Sequence, residues 1–173
     1  DLAADMLARF AHAMPRAFAE DWLHVAADEA EHFALLSARL TVLGAAYGNL
    51  PAHDGLWQAA AKTAHDLLAR LAVVPMVLEA RGLDVTPAMI QKLDRIGDTE
   101  SAAILRRIYA DEVGHVAAGV RWFEERCAAL GLNVATTWRD LTRRYCDGAV
   151  RPPFNDDARG RAGMAPALYA EAR

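Results

Sequence analysis

The sequence predicts an all-α protein, a four-helix bundle with an extra C-terminal helix and an irregular tail. Three observations lead there. Ala and Leu dominate a chain that is 54% apolar and only 8% aromatic, and strand-type runs of Val, Ile and Thr are scarce. Apolar residues recur at helical spacing. Gly and Pro fall between those periodic stretches. At 173 residues the chain suits one domain, spanning 1–173, with a sizeable core.

Leu2, Met6, Leu7 and Phe10 define a first helix from the start to about residue 13. Pro15 breaks it and suits the first turn of a second helix, from about Arg16 to Ala46, with Trp22, Val25, Phe33, Leu36 and Leu40 apolar. Gly44, Gly48, Asn49 and Pro51 mark its end. Asp54 caps a third helix from about Gly55 to Arg81, kinked at Pro75. Gly82 ends it, and Thr86-Pro87 starts a short helix to about Ile96. Asp98 or Thr99 caps a fourth long helix that stops at Gly131. A fifth covers roughly Ala135 to Cys146, and the tail from Asp147 reads as irregular chain wrapped on the bundle. The chain has no initiator Met and opens inside a helical pattern, so the first helix is expected to be truncated at its N-terminus.

A net charge of −4 excludes a general nucleic-acid binder. The segment 139–173 is locally Arg-rich, but Asp140, Asp147, Asp156, Asp157 and Glu171 offset it. Cys127 and Cys146 lack metal-ligand spacing and read as reduced thiols. With no apolar run of about 18 residues and no signal peptide, the expectation is a cytoplasmic protein away from membranes.

The second helix carries Asp28-Glu29-Ala30-Glu31-His32 and the fourth Asp111-Glu112-Val113-Gly114-His115. Both read Asp-Glu-x-x-His. Glu and His three apart share a helix face, so one helix offers a carboxylate and an imidazole to one metal. Two such helices facing each other, with one Glu from each of two more, make the di-metal site of carboxylate four-helix bundles. One Glu-x-x-His is commonly a solvated pair. Two copies, mid-helix and amid Phe33, Leu35, Leu36, Ile108 and Val116, point to burial, which is costly for a Glu without a partner or metal.

Glu79 is the one Glu of the third helix and sits in Val-Pro-Met-Val-Leu-Glu-Ala. Reflecting the level of Glu112 and His115 through the turn near Asp98 lands at about residue 82, within one turn of Glu79. The alternative is a helix-end pair with Arg81. The same reflection puts the first-helix carboxylate just before Asp1. Asp1 and then Asp5 are the nearest substitutes, unless both are plain helix residues.

A metal-bound His usually gives its other N–H to a carboxylate. Asp28 is paired with His115 on this reading, and Asp111 with His32; the alternative is that both are exposed. Tyr109, one turn before Glu112, reads as an outer donor, a redox neighbour or a core Tyr. Gly119 and Ala72 leave either a substrate pocket walled by Trp22, Phe33 and Met76, or close helix packing. His12, His24, His53 and His65 fit neither motif and read as surface or loop residues.

At these residues the chain resembles the ferritin-like superfamily, and more narrowly an uncharacterised, mostly bacterial ferritin-like family. The shared strings are His-Phe-Ala-Leu-Leu at 32–36, Tyr-Gly-Asn-Leu-Pro-Ala-His-Asp at 47–54, Glu-Ala-Arg-Gly-Leu-Asp-Val-Thr-Pro at 79–87, Asp-Glu-Val-Gly-His-Val at 111–116 and Pro-Pro-Phe-Asn at 152–155. The resemblance implies Glu29, His32, Glu79, Glu112 and His115 as ligands, with a further Glu upstream of Asp1. More distantly, the metal pattern is similar to a tRNA-modifying di-iron hydroxylase and other di-iron oxygenases.

Three functions stay open. The first is a di-iron oxidase or monooxygenase taking O₂ and a small or apolar substrate, with electrons from a separate reductase. The second is ferroxidase, iron-binding or peroxide-detoxifying work without an organic substrate. The third is a partner-binding bundle with a vestigial site. The cofactor expected is two iron ions, although Mn or Zn fits the same donors. A homodimer is compatible with each.

Overall fold

The computed structural model describes residues 1–146 and 148–169. Among these the chain forms eight α-helices and no strand. Asp147 and Glu171, two of the acids that offset the C-terminal arginines, lie outside the described residues.

Helix α1 (Leu2–Phe10) buries Ala3 and Met6. A 3₁₀ turn at Ala11–Ala13 and an extended Met14 reverse the chain onto α2 (Arg16–Val42), with Pro15 as N-cap. Helix α2 stops four residues before the expected Ala46. Gly44, at φ +75°, closes it by bonding back to Thr41 while Ala45 bonds to Leu40. Helix α1 has nine residues and α2 has 27, so α1 covers only the first part of α2. Phe18, Trp22 and Val25 are buried there. Further along, Phe33 is 57% exposed, Leu36 43% and Leu43 57%.

The expected single helix from Gly55 to Arg81 is three pieces. Helix α3 (Gly55–Lys62) ends where the Thr63 hydroxyl donates to the carbonyls of Ala59 and Ala60. Asp66 then caps α4 (Leu67–Val73) by accepting from the amides of Leu68 and Ala69. The Asp54 carboxylate accepts from the Gln58 side chain instead of capping α3. At Pro75 the helix widens into a π-helical turn, Val74–Glu79, since proline offers no N–H to the α ladder.

Helix α5 (Ala80–Arg95) runs unbroken through Gly82 and Pro87, where a stop and a new start were expected. Pro87 cannot donate to the Leu83 carbonyl one turn earlier. The Asn155 side-chain amide donates to that carbonyl instead, at 3.2 Å. Gly97, at φ +80°, and Asp98, which accepts from the Ser101 amide, form the turn into α6 (Thr99–Ala129). Helix α7 (Val134–Tyr145) is capped by Asn133.

The tail is more ordered than expected: it holds α8 (Asp156–Arg161) and a 3₁₀ turn at Pro166–Leu168. It straps onto α5. Arg81 donates to the carbonyls of Arg151 and Pro153, and Arg159 forms a two-pronged pair with Asp84 at 2.9 and 2.7 Å. The core joins Phe18, Trp22, Leu71, Met76, Leu83, Val116, Val120, Phe123, Trp138 and Met164. No helix among the described residues is long and apolar enough to cross a membrane.

Candidate metal centre

Two helices and the end of the π turn bring the sequence-marked residues together. Helix α2 brings Asp28, Glu29 and His32, α6 brings Asp111, Glu112 and His115, and the π turn ends on Glu79. Both histidines are buried, with ring centres 5.8 Å apart. Their outer nitrogens pair crosswise between the helices: His32 Nε2 lies 3.1 Å from Asp111 Oδ2, and His115 Nε2 lies 3.1 Å from Asp28 Oδ2.

With Nε2 donating outward, each ring turns Nδ1 toward the carboxylates. Glu29 Oε1 is 3.3 Å from His115 Nδ1 and 3.8 Å from His32 Nδ1, so one carboxylate faces both rings. Glu112 Oε2 is 3.6 Å from His115 Nδ1. Glu29, His32 and Glu112 each present a donor atom within 4.8 Å of the others. Among the described residues five buried side-chain atoms lack a hydrogen-bond partner, and three of them belong to this site: Glu79 Oε2, Glu112 Oε2 and His115 Nδ1. Acceptors gathered without donors require a cation or a bound proton.

The acid–base balance reflects that need. Burial, together with the charges of Glu112 and Glu29, pushes the Glu79 carboxyl up to about 8. Burial alone would depress His115, but Glu112, Glu29 and Asp28 outweigh it and raise the imidazole to about 11. Burial also works against the Glu29 carboxylate, but the His115 imidazole beside it, the largest influence, holds it below the ordinary range. In the metal-free protein a proton on His115 supplies positive charge among the carboxylates. The donor set of oxygen and imidazole nitrogen suits Fe, Mn or Zn.

Other marked residues lie elsewhere. The Tyr109 hydroxyl accepts from Asn155 at 2.9 Å, which ties it to the tail strap. Asp5 is taken up by Arg70 and Arg9, both at 2.7 Å. Asp1 is an exposed N-cap. Arg81 turns to the strap and Asp84, leaving Glu79 unpaired by it. The space at Gly119 is not a pocket: a Cβ there would meet the Pro75 ring at 2.5 Å, so glycine serves close helix packing. Phe33, a supposed pocket wall, points to solvent. His12, His24, His53 and His65 are exposed.

Sequence reasoning passed over Arg107. It donates to Asp111 at 3.0 Å and to Glu31 at 2.9 Å, clamping the acid that holds His32. Its spacing of four from Asp111 on one helix was the available signal. Asp28, the matching acid on the other side, pairs with His115 and lies 3.7 Å from the ring of His24.

Residues 1–170 match the family described as "Protein of unknown function (DUF455)". An uncharacterised protein of Haemophilus influenzae is 42% identical over 148 residues, 86% of this chain and 51% of that protein. The chain thus spans about half the length of the curated relative it matches. No solved structure matches. With the match covering nearly its whole length, the chain belongs to the DUF455 family.

Proposed function

We propose that this chain is a single ferritin-like four-helix domain that holds two metal ions, most naturally iron, and uses them for O₂-dependent oxidation of a small or apolar substrate. The four helices of that architecture are α1, α2, the α4–π–α5 run and α6. One observation carries the reading: two inward Nδ1 atoms and three glutamates converge, with three of their buried atoms unpartnered, while both Nε2 atoms are held by aspartates.

Glu29, facing both rings, suits a carboxylate shared between two ions. Glu79 and Glu112 supply buried oxygens on the α6 side, and His32 and His115 one nitrogen each. Asp28 and Asp111 fix the ring orientations and raise the donor strength of Nδ1. Bound ferrous iron would supply O₂ activation, with electrons from a separate reductase. The core at Phe18, Trp22 and Met76 keeps water from one flank.

A second reading, ferroxidase or peroxide-detoxifying chemistry, draws support from Pro75 filling the space at Gly119. The groove between α2 and α6 carries Asp21, His24, Asp28 and Arg121 beside Val25 and Ala117, so charged groups that could handle ions or peroxide border it.

Protein purified without chelator should contain close to two metal ions per chain by elemental analysis, and after ferrous loading it should consume O₂. His115→Ala should reduce the occupancy. Absence of metal uptake by the folded protein would defeat the di-metal reading. Ferrous oxidation at full rate with no organic substrate would favour the second reading over the first.

A further inference from the structure

The two Asp–His pairs have the same length but different surroundings. Asp28 accepts from His115 through Oδ2, and the ring of His24, on a side chain 80% exposed, lies 3.7 Å from the same oxygen. Asp111 gives its Oδ2 to His32, and the same oxygen also accepts from Arg107 at 3.0 Å. A carboxylate shared with a guanidinium has less electron density for the imidazole, so His32 is the weaker donor. The carboxylates differ in the same direction. The three orphaned buried atoms, on Glu79, Glu112 and His115, lie on the His115 side. Glu29, whose Oε1 faces both rings, is 40% exposed, and on the His32 side α2 leaves Phe33 open to solvent.

We propose that the centre binds its two ions unequally: a tight subsite at His115 and Glu79 fills first, and a weaker, exchangeable subsite at His32 is held in check by Arg107, with Glu29 and Glu112 within reach of both. The proposal rests on the di-metal reading. Asp28 is a positioning residue for the tight subsite, and Asp111 with Arg107 sets the weak one. A centre of this kind gives up one ion to a chelator well before the other.

The test is titration of the metal-free full chain with Co(II) alone, followed by visible absorption and equilibrium dialysis. Two classes of site should appear, separated by at least about tenfold in affinity. Asp28→Asn should weaken the tight class by about 10–100-fold. Asp111→Asn should weaken only the weak class, and by less. Arg107→Gln alters a half-exposed side chain outside the ligand set. It should tighten the weak class and leave the tight class unchanged, whether or not Asp28→Asn folds.

Two equal classes, loss of the tight class in Asp111→Asn, or no change of the weak class in Arg107→Gln would each overturn the inequality while leaving a di-metal centre intact. Failure to bind any Co(II) would instead remove the di-metal reading, and this proposal with it.

Discussion

Among the described residues two arginines are buried, and they are buried differently. Arg159 is sealed. Asp84, its two-pronged partner, has no side-chain exposure, and the rings of Phe154 and Tyr169 stack over the guanidinium at 5.0 and 4.7 Å. Arg70 divides its donors among one charge and two neutral acceptors: Asp5 at 2.7 Å, the Thr63 hydroxyl at 3.1 Å and the Ala60 carbonyl at 2.6 Å. Its carboxylate partner is 15% exposed. The first arginine fastens the tail to α5, and the second fastens α1 to the break between α3 and α4. A sealed pair is costly to break because the survivor keeps an unmatched charge, whereas a distributed one loses a single contact.

The difference can be broken from the larger side first. Asp84→Ala strands Arg159 inside the protein and should cost about 3–5 kcal/mol in urea unfolding. It also removes the acceptor of the Asn155 amide. Replacing both partners at once, Asp84→Leu with Arg159→Met, should recover much of that loss, and failure to recover would mean that the charges themselves organise the tail.

Asp5→Asn should cost less, about 1–2 kcal/mol, since Arg70 keeps two acceptors. This loss depends on pH. Burial pulls the Asp5 carboxyl upward, but the hydrogen bonds and charges of Arg70 and Arg9 outweigh it and hold the carboxyl below its ordinary value of 3.8. A depressed carboxylate stabilises the fold above its unfolded value, and that contribution is lost as pH falls through the folded one. The gap between wild type and Asp5→Asn should therefore be full at pH 7 and close under acid. A gap that persists at the lowest pH would assign it to shape instead of charge.

Tyr109→Phe should have the smallest effect, below about 1 kcal/mol, because the Asn155 amide retains the Leu83 carbonyl. A small fall in melting temperature with unchanged metal content would place Tyr109 with the strap.

Much of the helical punctuation was legible in the sequence: Pro15, Asp98 and Gly131 each mark a boundary by local chemistry alone. The paired Asp-Glu-x-x-His motifs were legible for the same reason, since spacing on one helix is a local property. What was not legible depends on partners far along the chain. Pro87 reads as a helix start until Asn155, 68 residues later, takes over its missing hydrogen bond. Arg70 and Arg159 carry no local sign of burial, since their partners Asp5 and Asp84 lie 65 and 75 residues away. Gly119 reads as either a pocket or a close contact until Pro75 fills the space. The apolar face of α2 predicts burial along its whole length, but α1 reaches only part of it.

The π turn at Val74–Glu79 has a consequence for how this chain tolerates change in length. Such a turn is an α-helix carrying one surplus residue. The wider turn takes up that surplus, so removing one residue from it would restore a regular helix and leave the two flanks close to their present orientation. Glu79 sits at that seam. A single-codon deletion before Glu79 in the turn would keep the glutamate near its present face, whereas the same deletion inside the regular helix α5 would rotate everything beyond it by about 100°.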